Sequence, residues 1–135
     1  MSDKFSKSES LASRKLIEKL VEEGNSFSQY PFRLTWMTAE LKANVPAQVA
    51  IVVSKRNFKR AVDRNRIKRL LREVYRKNKS DFYKTLTNKN MQCALLLLYT
   101  GKVVPNFAEV ERKLRLTLQR FEETIANTSV NQNNV

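Results

Sequence analysis

Two short apolar runs bracket a long amphipathic segment, and this arrangement restricts the possible folds more than any other feature. Val49–Val53 is largely β-branched, and Met91–Tyr99 contains the longest apolar stretch, Ala94–Tyr99. Both fit buried strands, the second a central one. Between them Ile67, Leu70, Leu71, Val74 and Tyr75 recur at i, i+3, i+4, i+7 and i+8. That spacing predicts one helix over about 60–77 with a single buried stripe. Strand, helix, strand in this order is a βαβ unit, for which the general expectation is a right-handed crossover.

The flanking regions extend the pattern. Ser13 is positioned to cap a helix carrying Leu16, Ile17, Leu20 and Val21, and Gly24 suits its end. Tyr30–Met37 reads as an aromatic strand, with Pro31 early enough to imply a sheet edge. A split of the Phe27–Met37 region into two strands is an alternative. Ser80–Asn90 reads as a polar connection with at most a helical turn. Asn106 and Glu109 have the spacing of a capping box. The last helix then carries Phe107, Val110, Leu114, Leu118, Phe121 and Ile125 on one face. The expectation is an α+β chain with one domain over 11–125, a two-layer sandwich of a mixed sheet with helices packed on it. Residues 1–10 are expected to be flexible, and the Asn-rich 126–135 disordered.

Charge is concentrated in the predicted helix and the loop before it. Residues 55–79 hold twelve of the 26 Lys and Arg and only two acids, Asp63 and Glu73. That segment is +10 of a total +13. Opposite the apolar stripe lie Asn65, Lys68, Arg69, Arg72 and Arg76, with Arg66 at the margin. A solvated helix face normally alternates in sign. Here Lys68 and Arg72, like Arg72 and Arg76, are like charges at i, i+4, which cost a few tenths of a kcal/mol each without a ligand. The band therefore reads as a footprint for a polyanion. Aromatic side chains are the second component of single-strand binding. Phe27, Tyr30, Phe32, Trp36 and Phe58 are candidates, although core packing competes for each. Phe32 and Trp36 share one sheet face, and Arg33 lies on the other.

Composition also excludes chemistry. The chain has no histidine, one cysteine and two glycines. A zinc site, a Cys/His nucleophile pair and a phosphate-cradling glycine loop are therefore not available. Glu22-Glu23 and Glu122-Glu123 have no nucleophile near them in sequence and read as structural. Cys93, beside the apolar run, reads as a buried inert thiol. The polar N-terminus lacks the core of a signal peptide, and no apolar run could span a bilayer, so a cytoplasmic location is expected.

Val52-Val53-Ser54-Lys55-Arg56, followed by Ala61-Val62 and Arg64-Asn65-Arg66-Ile67-Lys68-Arg69-Leu70-Leu71-Arg72, resembles the signature of the bacterial ribonuclease P protein component. The resemblance implies a fold like the second domain of ribosomal protein S5, with about four strands and a left-handed βαβ crossover. It implies a protein subunit of an RNA-based endoribonuclease that removes the 5′ leader of precursor tRNA. The catalytic groups and the Mg²⁺ would then belong to the RNA, with no catalytic residue, tightly bound metal or obligate protein partner on this chain. Arg64, Asn65, Arg66, Lys68, Arg69 and Arg72 would face the catalytic RNA, joined by Arg76 and by Lys55, Arg56, Lys59 and Arg60 of the loop. A cleft between the first helix and the sheet, with Ile17, Val21, Phe32 and Lys55, would take the leader. Its helix positions are often aromatic in the family, whereas here they are Ile17 and Val21. The loop after Ser54 lacks the family's glycine, and Phe58 would supply a ring there. A general RNA-binding protein would share the charge but not the ordered motif. A DNA reader usually presents a helix–turn–helix pair, not a basic helix between strands. Membrane binding would need apolar faces that the core already uses.

Overall fold

The computed structural model describes residues 5–127. A 3-10 turn at Lys7–Glu9 precedes α1 (Arg14–Glu23), β1 (Asn25–Gln29), β2 (Phe32–Thr38) and β3 (Ala47–Val53). These are followed by α2 (Ala61–Asn78), α3 (Ser80–Asn88), β4 (Cys93–Tyr99) and α4 (Phe107–Ala126). The four strands form one mixed sheet in the order β1-β2-β4-β3. β4 is central, antiparallel to β2 and parallel to β3, so β3, α2 and β4 make the βαβ unit that the sequence pattern requires.

The sheet has two unequal faces. Phe32, Leu34, Trp36, Val49, Val53, Leu95, Leu97 and Tyr99 are buried in the main core with Ile67, Leu71, Val74 and Tyr75 of α2 and Leu114, Leu118 and Phe121 of α4. On the other face Leu16, Ile17 and Leu20 of α1 pack with Ala94, Leu96, Ala50 and Met37. Burying each large aliphatic side chain contributes about 1.5–3 kcal/mol. Most of that gain lies on the α2/α4 face, so the α1 face can stay partly open.

Local chemistry explains the boundaries. The Ser13 Oγ accepts from the Leu16 N–H at 3.2 Å and starts α1. The Asn106 Oδ1 accepts from the Glu109 N–H at 2.8 Å and starts α4. Gly24 ends α1, but at φ −70° it is not in the left-handed region. Glycine is required there because a Cβ would lie 2.5 Å from the Leu20 carbonyl oxygen and 2.8 Å from Thr35 Cγ2.

The alternative split of the Phe27–Met37 region into two strands is the one observed. Other expectations need correction. β2 is an interior strand rather than an edge, because Pro31 lies in the β1–β2 turn and not in a ladder. Residues 80–88 form a full helix, anchored by the buried side chains of Phe82, Tyr83 and Leu86. β3 is a sheet edge, covered by the segment before α1 through a Ser10–Val49 bridge. That segment is not loose over its described part, because Glu9 is buried in it and pairs with Lys79 at 2.6 Å. Cys93 is fully buried, which pushes its thiol up to about 12. Most of the expected Asn-rich tail, 128–135, lies outside the described residues.

Candidate nucleic-acid interface

Burying Ile67, Leu71, Val74 and Tyr75 fixes the rotation of α2, and the opposite face then meets solvent. Asn65, Arg66, Arg69 and Arg72 are exposed, and Lys68 is half-buried. None of these five side chains makes a hydrogen bond or ion pair among the described residues. At 1.5 Å rise per residue, Arg66, Arg69 and Arg72 follow one another at intervals of about 4.5 Å along the axis. The repulsion in this band has no internal compensation, which is the electrostatic state expected of a surface awaiting polyphosphate.

The band is narrower than the sequence implied. The Arg64 Nη1 donates to the carbonyls of Phe58 at 2.8 Å and Lys59 at 3.0 Å. Arg64 therefore clamps the preceding loop to the helix. The Arg76 guanidinium pairs with Glu73 at 2.6 Å and holds that carboxyl below its usual range. Both residues have structural partners already.

Phe58 also has a different place from the one expected. Its ring is 6 % exposed and packs 6.1 Å from that of Tyr99. It anchors the loop from inside, so no ring face is open for stacking. With Phe58 inside, Lys55, Arg56, Lys59 and Arg60 all remain exposed. Further ties come from Asn57, which donates to the Gly101 carbonyl at 3.4 Å, and from the Arg56 N–H to Ser54 Oγ at 3.1 Å. A held loop presents four cations at lower entropic cost than a free one.

The second surface is the open part of the α1 face. Cross-strand register places Ser28, Arg33, Leu98 and Val52 in one row across the sheet. None of them belongs to the cluster beneath α1. Val21 on α1 is 68 % exposed and Val52 is 39 % exposed, so apolar surface stays open on both the helix and the sheet. Ile17 is half-buried against the cluster beneath α1. Lys55 follows two residues after the end of β3, at the start of the basic loop.

Phe32 does not lie on this open face. It is 1 % exposed in the main core, 5.8 Å from the Tyr99 ring. Strand alternation puts its neighbour Arg33 on the α1 face, exposed, donating to Ser26 Oγ at 2.8 Å and Ser28 Oγ at 3.3 Å. The parity was legible in the sequence. Which parity faced the open side was not, because that depends on which helices cover which face. Arg33, Leu98 and Val52 are thus the residues of the open sheet face that the sequence did not single out.

The family model for ribonuclease P matches residues 5–122, nearly the whole of the described chain. This chain belongs to the ribonuclease P protein family. The ribonuclease P protein component of Porphyromonas gingivalis is 31% identical over 126 residues, covering 93% of this chain and 92% of its own length. That of Chlorobium phaeobacteroides is 33% identical over 119 residues, covering 80% and 81%. Among solved structures, the RNase P protein of Staphylococcus aureus superposes with a TM-score of 0.67 at 18% identity, over 84% of this chain and 94% of that one. The protein from Thermotoga maritima gives 0.66 at 23% identity, over 83% and 96%. These two likenesses show a shared fold and bear out the α+β sandwich. The motif that carries the resemblance lies at the start of α2, between β3 and β4 in the chain, with Arg66, Arg69 and Arg72 on the exposed side of the helix.

Proposed function

We propose that this chain acts as the protein subunit of a ribonuclease P ribonucleoprotein in the maturation of tRNA 5′ ends. The α2 face, through Asn65, Arg66, Lys68, Arg69 and Arg72, holds the catalytic RNA. The loop cations Lys55, Arg56, Lys59 and Arg60 extend that contact towards the substrate. The cleft beside α1 takes the single-stranded 5′ leader of precursor tRNA, with Ile17, Val21, Val52 and Leu98 giving apolar contact and Arg33 and Lys55 giving charge. Hydrolysis of the phosphodiester is assigned to the RNA and its Mg²⁺. Among the described residues no group of three or more His, Cys, Asp or Glu side chains is placed to hold a metal ion. The chain's own part is to neutralise phosphates and to position the leader. No helix among the described residues is long and apolar enough to cross a membrane.

The observation that carries this reading is the unpaired row Arg66–Arg69–Arg72, continuous with an exposed four-cation loop. Removing one cation–phosphate interaction should reduce the log–log salt slope of binding by about 0.7–0.9. The test is the salt dependence of binding to the catalytic RNA for wild type, Arg66→Ala/Arg69→Ala and the control Lys84→Ala, whose side chain is exposed on α3. The slope for the double variant should be shallower by about 1.5, and that for the control unchanged. Equal slopes for all three would reject the α2 face as the RNA-binding surface.

A further inference from the structure

The end of the sheet beside the basic loop carries a second concave site that the α2 face and the α1 cleft leave unexplained. It encloses about 180 Å³ between the β1–β2 turn and the segment entering α4. Tyr30 and Pro31 form one wall, Val103 and Pro105 the other, and Glu109 and Lys113 of α4 stand at the rim. Tyr30 and Val103 are each 70 % exposed. An exposed aromatic ring and an exposed aliphatic side chain thus line the same concavity.

The walls are held in place. The Thr100 N–H donates to the Pro31 carbonyl at 2.7 Å, and the Tyr99 hydroxyl donates to the Val103 carbonyl at 2.9 Å. Both walls are thus tied to the end of β4. The same strand end joins the site to the basic loop, because Phe58 packs on Tyr99 and Asn57 bonds to Gly101. The loop that carries Lys55, Arg56, Lys59 and Arg60, a stretch without an acid, thus touches the lining of this site through Asn57 and Phe58.

We infer that this cleft receives one unpaired nucleobase of an RNA whose backbone lies on the basic loop. An open ring beside a cationic groove is the combination that binds single strands. Tyr30 supplies the stacking face, and Pro31 and Val103 exclude water from the other edges. Lys113 is placed for a phosphate or a base carbonyl. Glu109 is placed to accept from an exocyclic amine, and it disfavours a bare phosphate or an acidic peptide in the same space. The inference rests on the RNA-binding reading of the basic face and adds a base contact to it.

The base could come from the catalytic RNA or from the leader, and two binding arms separate these sources. The full chain, as wild type, Tyr30→Ala and Tyr30→Phe, is titrated with the ribonuclease P RNA of the same genome and with a leader-length single-stranded RNA. Tyr30→Ala should weaken one of the two by about tenfold, within the range for removal of one stacked base. The salt slope should not change, because every phosphate interaction is retained. Tyr30→Phe should stay within about twofold of wild type, and the arm that falls identifies the source. Unchanged affinity of Tyr30→Ala for both RNAs overturns the inference. So does an equal loss for the Ala and Phe variants with a lowered Tm. If Arg66→Ala/Arg69→Ala flattens the salt slope while Tyr30→Ala changes nothing, the basic face stands and the base site alone fails. If neither variant has an effect, both readings fail.

Discussion

The Glu9 carboxylate lies 2.6 Å from the Lys79 ammonium, with the two side chains only 6% and 3% exposed. The pair joins the segment before α1 to the junction of α2 and α3. The Tyr83 hydroxyl donates to the same carboxylate oxygen at 2.7 Å, and the Ser6 N–H donates to the other at 2.7 Å. Removing one partner of such a pair leaves the other charge buried, which costs about 3–5 kcal/mol. Lys79→Met should therefore lower the unfolding free energy by about that amount in urea titrations. Glu9→Gln/Lys79→Met, which removes both charges, should lose less. A single-variant loss no greater than that of Lys84→Ala would contradict the account.

The same pair sets an acid limit. Burial raises the Glu9 pKa, but the hydrogen bonds from Lys79, Tyr83 and Ser6 outweigh it and leave the carboxyl below its usual 4.5. The folded-state value is thus lower than the unfolded one. The stability this group contributes is complete above about pH 4.5 and disappears as pH falls through the depressed value. Wild type should exceed Glu9→Gln in stability at pH 6, with the gap closing below about pH 4. A gap independent of pH between about 3 and 6 would show that the ionised form is not what stabilises.

Gly24 offers a prediction from packing alone. A methyl group there meets the Leu20 carbonyl and Thr35 Cγ2 at less than van der Waals distance. Gly24→Ala should cost about 1–3 kcal/mol, as overpacking does, although Ala favours helices elsewhere. Thermal unfolding of the single variant checks this, and an unchanged or raised Tm would mean that α1 and β2 can separate freely.

Much of this architecture was legible in the sequence, and the failures share a cause. The α2 stripe, the central β4 run and the caps at Ser13 and Asn106 depend on local periodicity and short-range hydrogen bonding. They appear where the pattern puts them. Helix α3 was missed because Phe82, Tyr83 and Leu86 are few apolar residues among polar ones, and their burial against α2 and α4 is a tertiary effect. Phe32 and Phe58 were misassigned for a related reason. An aromatic residue in a basic protein reads equally as a stacking ring or as core, and only the neighbours decide. Arg64 and Arg76 look like their exposed neighbours in sequence, but the carbonyls of Phe58 and Lys59 and the carboxylate of Glu73 occupy them.

Phe32 and Arg33 separate core from cleft in adjacent positions. Phe32→Ala should destabilise the fold by about 3–5 kcal/mol. Arg33→Ala, on the exposed face, should change stability by no more than about 0.5 kcal/mol. In the holoenzyme Arg33→Ala should weaken binding of leader-bearing precursor more than binding of mature tRNA. Competitive binding of the two ligands checks this, and equal losses would remove Arg33 from the leader site.

The most direct measurement is the cleavage rate of a 5′-leader precursor tRNA at low Mg²⁺. It is made with the cognate catalytic RNA alone, with wild-type protein added, and with the Arg66→Ala/Arg69→Ala variant added. Wild type should give a rate gain that the variant loses while keeping a wild-type Tm. RNA binding without any rate gain from wild type would contradict it and leave a general RNA-binding protein.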